Sequence, residues 1–137
     1  MIPATHFVLL FYRIAIALLM LPHGLKKWNK LMAGGEIKFY DFVGLGAANT
    51  LSIAIITEII APVCIMLGWW TRLWSATVCM TMLVAALMVH AGDPLDERES
   101  SLCYFLMFFI LVWKGAGRWS LEGILLRNSC DLSKTKA

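Results

Sequence analysis

The amino-acid sequence predicts an all-α integral membrane protein, a bundle of four transmembrane helices. Of the 137 residues, 60% are hydrophobic and 15% are charged, whereas soluble domains carry about 25% charged residues. The mean hydropathy is +0.74. The apolar residues are also concentrated in four stretches, each close to the roughly 20 residues that cross about 30 Å of hydrocarbon.

The four apolar stretches define the predicted helices, because backbone groups in lipid must pair within their own segment. We expect one domain over residues 1–137, with a basic C-terminal tail over about 118–137. Arg13 interrupts the first stretch, which favours a retained helix over a cleaved signal peptide. The predicted helices cover about 7–23, 50–68, 72–90 and 101–117.

The connections between the helices bear on orientation and partners. The first, about 24–49, is aromatic and is expected to lie on the membrane surface or to fold back into the bundle. In a four-span topology, the side with both termini holds six lysines and arginines and the other side five. This small excess favours cytoplasmic termini. The net charge of +3 is too low to indicate nucleic-acid binding.

The four cysteines carry no recognisable motif. None pair as CxxC, and no spacing resembles a zinc site, so we assign no metal. Three of them fall inside apolar stretches, and we interpret these as small apolar side chains packed in the membrane. A thiol-redox role would require distant helices to bring two of them together. The four cysteines are Cys64, Cys79, Cys103 and Cys130.

Two charged residues lie deep within apolar stretches. Arg13 is ten residues before His23, and Glu58 is eight residues after Thr50. These separations place them roughly 15 Å and 12 Å below the same membrane face. We therefore expect an Arg13–Glu58 ion pair, either as a proton-relay or ligand-binding site or as a structural pair that fixes helix packing. Pro62, four residues after Glu58, predicts a kink beside the carboxylate.

Two histidines end predicted helices on the same side of the bundle. His23 ends the first helix and His90 the third, and the acidic residues Asp93 and Glu99 follow nearby. Their convergence predicts a ligand-binding site at this face. A metal, a haem or a quinone headgroup remain open as its ligand. The alternative is two interfacial histidines beside an acidic helix start, which the helix dipole favours.

Taken together, these residues resemble the DoxX family of small four-helix bacterial membrane proteins. The resemblance covers roughly residues 8–126, and Glu122 stands where the family commonly has aspartate. The matching motifs, in chain order, are Arg13 followed by His23-Gly24-Leu25-Lys26-Lys27, Glu58 followed by Gly68 and Thr71-Arg72, His90, and Gly115-Ala116-Gly117-Arg118-Trp119-Ser120-Leu121-Glu122.

The resemblance implies a multi-pass protein of the bacterial inner membrane. Family members include a subunit of an archaeal thiosulfate:quinone oxidoreductase, and others are linked to membrane oxidoreductase complexes. We therefore expect a membrane-embedded subunit or accessory protein of an oxidoreductase system, with quinone favoured over haem as a cofactor. The resemblance supports Arg13, Glu58, His23 and His90 as site candidates without assigning their reaction.

Two alternatives differ in class from the redox subunit. One is a non-enzymatic scaffold or assembly factor that packs against other membrane proteins as a homo- or hetero-oligomer. The other is a small proton-coupled transporter centred on Glu58 and Pro62. The sequence lacks a CxxC motif, a glycine-rich nucleotide loop and a haem-attachment motif. Any enzymatic role would therefore be that of a subunit.

Overall fold

The fold was analysed in a computed structural model, which describes residues 3–34, 39–92 and 94–125 and, among these, all side chains except those of residues 3 and 95–97. Within these ranges the chain is helical and contains no strand, which confirms the all-α class. The helices are α1 (Pro3–Met32), α2 (Ala47–Leu67), α3 (Thr71–Val89) and α4 (Leu95–Lys114).

In the described part of the chain, three helices are long and apolar enough to cross a membrane, namely α1, α2 and α3. The fourth, α4, has 20 residues, but its first turn carries four consecutive charged residues, 96–99. Its apolar part begins near Ser101 and packs extensively against α3. The composition of α4 therefore differs from that of the other three, although its length matches a membrane span.

Helix α1 is longer than the sequence predicted. It continues through Pro22 to Met32, whereas the predicted helix ended at about residue 23. The extension persists because it packs against α2, where Gly24 is buried against the backbone of Glu58. Its 30 residues extend over about 45 Å at 1.5 Å per residue. Residues that we had placed in a surface loop therefore lie beside the middle of α2.

Two helices contain a π turn instead of continuous α-helix. In α2 the π turn covers Ile56–Ile60, directly before Pro62, and the Ala61 N–H donates to the carbonyl of Ile56. In α3 it covers Ala85–Val89. Such turns insert one residue into a helix and are frequent at functional sites. The chain thus accommodates Pro62 through a local change of helix winding just before it.

The apolar core lies between all four helices. Phe108 and Leu111 of α4 are completely buried, as are Met20 of α1, Ile65 of α2 and Val78 of α3. Their side chains join the four helices below the polar end of the bundle. This packing fixes the level at which each helix presents its polar residues.

We expect Gly24→Ala to destabilise the bundle. An added Cβ would lie 2.8 Å from the carbonyl oxygen of Glu58 and 2.6 Å from Cγ1 of Ile59, so α1 and α2 would have to separate. Overpacking of this kind costs about 1–3 kcal/mol. Thermal unfolding in detergent measures the effect. Gly92→Ala is the control, because a Cβ there meets nothing within 4 Å; equal midpoints for the two variants would contradict the close contact.

Candidate functional site

A polar cavity of about 140 Å³ lies at the end of the bundle where α1 passes α2 and where α4 begins. All four helices contribute to its wall. The lining residues with charged or hydrogen-bonding side chains are His23, Lys27, Glu58, His90, Ser100, Ser101 and Tyr104. Glu58 is located in the π turn of α2, and His90 directly follows the π turn of α3.

The charged centre of the cavity is an ion pair between Lys27 and Glu58. The ammonium group of Lys27 donates to Oε1 of Glu58. The Glu58 side chain is 1% exposed and that of Lys27 28% exposed. The second carboxylate oxygen, Oε2, is buried and has no hydrogen-bond partner among the described residues. One oxygen is therefore neutralised by Lys27, while the other lacks the donor that a buried carboxylate oxygen requires.

The predicted Arg13–Glu58 ion pair is wrong. Arg13 donates to the carbonyl oxygen of Ala116 at 2.9 Å and to that of Trp119. The prediction failed because α1 does not end at residue 23, so the two helices are in a different register. Gly24 lies against Glu58, and Arg13 is eleven residues, or about 16 Å, further along α1.

Arg13 instead holds the segment that follows α4. Both of its carbonyl acceptors belong to this segment, residues 115–120. Its guanidinium lies so close to Gly68 that a side chain at that residue would clash with it. The Glu122 N–H donates to the Gly68 carbonyl at 3.2 Å and ties the same segment to the end of α2. Arg13 therefore has a structural role at the opposite end of the bundle from the cavity.

The two predicted histidines both line the cavity. The His23 ring packs edge-on against the Tyr104 ring, with 5.3 Å between the ring centroids. The Tyr104 hydroxyl donates to the carbonyl oxygen of Leu19 at 2.8 Å. The His90 N–H donates to the Ala85 carbonyl at 3.0 Å and closes the π turn. The fold therefore brings His23 and His90 to one cavity, as the sequence analysis expected. Glu58, which had been expected to pair with Arg13, lines the same cavity.

The two predicted acidic ligands are not part of the described cavity. Asp93 lies outside the described residues. Glu99 is exposed at the start of α4 and does not line the cavity.

Sequence reasoning missed Lys27, Ser101 and Tyr104. The signal for Lys27 was its separation of four residues from His23, which places both on one face of a helix. That signal was lost when the helix was expected to end at residue 23.

No metal centre is evident in the described ranges. There, no three His, Cys, Asp or Glu side chains are close enough to hold a metal ion. Cys64 and Cys79 are buried and reduced, Cys103 is exposed and reduced, and Cys130 lies outside the described residues. The Cys79 thiol donates to the carbonyl oxygen of Phe105 at 3.5 Å.

An apolar groove of about 250 Å³ adjoins the cavity. Its wall is almost entirely apolar and comes from α2, α3 and the connection before α2, with Phe39, Phe42 and Val84 among its residues. Lys27 and Ala85 line both the groove and the cavity. The Lys27 ammonium lies 5.8 Å from the centroid of the Phe39 ring. The aromatic connection thus folds back against the helices. Lys27 lies between the polar cavity and the apolar groove.

The comparison with family models assigns residues 8–91 to DoxX. The chain belongs to the DoxX family. The matched residues include the whole of α2 and α3 and most of α1, and hence His23, Lys27, Glu58 and His90. The DoxX match thus covers every ionisable group of the cavity except Tyr104.

Relatives of this DoxX protein include two uncharacterized proteins of Haemophilus influenzae. One is 27% identical over 126 residues, which cover 85% of this chain and 89% of the relative. The other is 27% identical over 124 residues, covering 85% of this chain and 82% of the relative. No solved structure matches the chain.

We expect Lys27→Gln to destabilise this DoxX protein more than the double variant Lys27→Gln/Glu58→Gln. The single change leaves a buried carboxylate without its cation, which costs about 3–5 kcal/mol when both partners are fully buried. The partial exposure of Lys27 reduces this figure. Glu58→Gln in the lysine variant removes the uncompensated charge and should restore part of the loss.

Unfolding of the single and double variants in detergent measures the coupling between the two side chains. Lys26→Gln is the matched control, since it removes the same charge from an exposed neighbour. If Lys27→Gln and Glu58→Gln lower the free energy of unfolding by additive amounts, the two side chains are not coupled. That result would contradict the ion pair.

Proposed function

We propose that this DoxX protein is a quinone-binding membrane subunit of an oxidoreductase system. The observation that supports the proposal most strongly is the unpartnered, buried Oε2 of Glu58, a residue that lines a polar cavity. A buried carboxylate oxygen without a donor is costly unless a ligand or a water supplies one. The cavity is therefore suited to a ligand that brings a hydroxyl group.

The donor set of the cavity fits a quinone headgroup in both of its redox states. Oε2 of Glu58 can accept a hydrogen bond from a quinol hydroxyl. The Lys27 ammonium can donate to a quinone carbonyl while it stays beside the carboxylate. His23 adds an imidazole, whose neutral form has one hydrogen-bond donor and one acceptor.

The adjoining groove fits the apolar tail of such a ligand. It opens beside the cavity at Lys27 and Ala85, so a molecule with a polar head and a hydrocarbon tail can occupy both. Together the two volumes reach the lower end of the roughly 300–1,000 Å³ found for small-molecule sites. Membrane quinones have this amphiphilic form, and they reach a membrane-embedded groove from the lipid phase.

The residues of the cavity supply proton chemistry, and we assign the electrons to a partner subunit. Conversion of a quinone to a quinol takes up two electrons and two protons. Glu58 and His23 can exchange protons with the headgroup oxygens, and the Lys27 ammonium is already hydrogen-bonded to Glu58. The sequence motifs give no electron carrier on this chain, which favours a complex with a redox protein.

We infer a bacterial inner-membrane location with both termini in the cytoplasm. In this orientation the cavity lies in the outer half of the bilayer, because α1 ends and α4 begins on the side opposite the termini. The partner would then dock from the periplasmic side or within the membrane. A single DoxX-like domain over 1–137 is sufficient for this role.

Separate titrations of the purified protein with a long-chain quinone and with its quinol test the proposal. We expect Glu58→Gln to weaken quinol binding by about 10- to 100-fold, because a hydrogen bond to a charged group contributes about 1.5–3 kcal/mol. Native mass spectrometry in mild detergent reports the bound ligand. Glu99→Gln is the matched control, since this exposed carboxylate does not line the cavity.

A folded protein that binds no quinone, or that binds it equally well in both variants, would overturn the proposal. The scaffold or assembly-factor interpretation would then be preferred, especially if the chain co-purifies only with other membrane proteins. A circular-dichroism spectrum of Glu58→Gln establishes that the variant is folded before binding is compared.

A further inference from the structure

A cationic cleft lies at the opposite end of the bundle from the polar cavity. Its volume is about 310 Å³, and it is formed by the start of α3 and by the end of α4 with the segment that follows. Arg72 and Lys114 bring two cationic side chains to its wall. Nothing in the proposed quinone function uses this cleft.

The cations of the cleft are not neutralised within the described part of the chain. No described carboxylate forms an ion pair with Arg72 or Lys114, although Glu122 also lines the cleft. Both cationic side chains are exposed. With one carboxylate against two cations, the described wall of the cleft carries a net positive charge.

Glycine residues line the cleft. Gly115 has a φ of 75°, and a Cβ at this position would lie 3.0 Å from Nε of Arg72. Gly117, with a φ of 78°, also lines the cleft. Because Gly115 carries no side chain, the Arg72 guanidinium can lie directly against its backbone. A Cβ at Gly117 would instead meet Leu9 and His6 of α1.

The cleft is flanked by exposed tryptophans. Trp70 is 58% exposed, Trp113 is 76% exposed and Trp119 is 54% exposed. They lie next to Arg72, Lys114 and the segment after α4 along the chain. Tryptophan is enriched where a membrane protein crosses the lipid headgroups. These tryptophans favour a position of the cationic cleft near the lipid headgroups.

We propose that this cleft binds the phosphate group of an anionic phospholipid. The planar guanidinium of Arg72 can donate two parallel hydrogen bonds to phosphate oxygens, and Lys114 adds a second charge. The acyl chains then lie along the apolar, exposed tryptophan rings. A zwitterionic lipid is a poorer fit, because its own cation would approach Arg72 and Lys114.

Native mass spectrometry of the full chain with phosphatidylglycerol, phosphatidylcholine or inorganic phosphate tests this proposal. We expect phosphatidylglycerol adducts to be favoured over phosphatidylcholine adducts. Arg72→Gln and Lys114→Gln, made separately, should each lower phosphatidylglycerol binding by about tenfold, as expected for loss of a charge-assisted contact. Arg118→Gln is the matched control, because it removes an exposed cation at the same end that does not line the cleft.

An equal loss of binding in Arg118→Gln would overturn the specific site and indicate general attraction to basic residues. Displacement of the lipid by millimolar inorganic phosphate would identify the cleft as a site for soluble anions instead of lipids. Unchanged lipid binding in both Arg72→Gln and Lys114→Gln would also exclude it. Quinone titration of the same variants should be unaffected, which separates this proposal from the quinone site.

Discussion

The ion pair between Lys27 and Glu58 is the interaction on which the arrangement of this DoxX protein depends. A charge in the middle of a bilayer costs at least about 2.5–3.5 kcal/mol on insertion scales, so a carboxylate that is 1% exposed needs a nearby cation. Lys27 can supply it only because α1 continues past Pro22, and Gly24 lets α1 approach the backbone of α2. The π turn that contains Glu58 lies at this contact, and the polar cavity opens beside it.

The two charged residues in the middle of the sequence's apolar stretches have separate tasks at opposite ends of the bundle. Arg13 binds backbone carbonyls of the segment after α4 and holds it against the end of α2. Glu58 faces a cavity and keeps one oxygen without a partner in the described structure. Both terminal guanidinium nitrogens of Arg13 donate to backbone carbonyls, which is typical of structural support, although its buried Nε has no partner among the described residues. An unpartnered carboxylate oxygen on a residue that lines a cavity is typical of a ligand site. Arg13 thus supports the segment that forms the cationic cleft, whereas Glu58 lines the polar cavity at the other end.

Hydropathy was sufficient to predict the all-α fold and the approximate positions of the helices. It was also sufficient to find Glu58, His23 and His90, since ionisable residues at helix centres and ends are rare in membrane segments. Hydropathy failed to predict the partner of Glu58, because the first apolar stretch ends near Pro22 and lysines follow it. The structure nevertheless continues α1 to Met32, where packing against α2 stabilises it. The register between α1 and α2 depends on Gly24, and no local pattern reports which residue a glycine will contact. The aromatic composition of the first connection did suggest its fold-back as one of two outcomes, but it could not specify the groove that Phe39 forms with α2 and α3.

Photoaffinity labelling with two azidoquinones tests most directly whether the cavity and the groove form one amphiphile site. One probe carries the azide on the headgroup and the other carries it at the tail. The account predicts headgroup labelling of peptides that contain Lys27 or Ser101, tail labelling of peptides that contain Phe39 or Val84, and loss of both labels when unlabelled quinone is added. Labelling that is spread over lipid-facing residues such as Leu106, and that excess quinone does not displace, would contradict it.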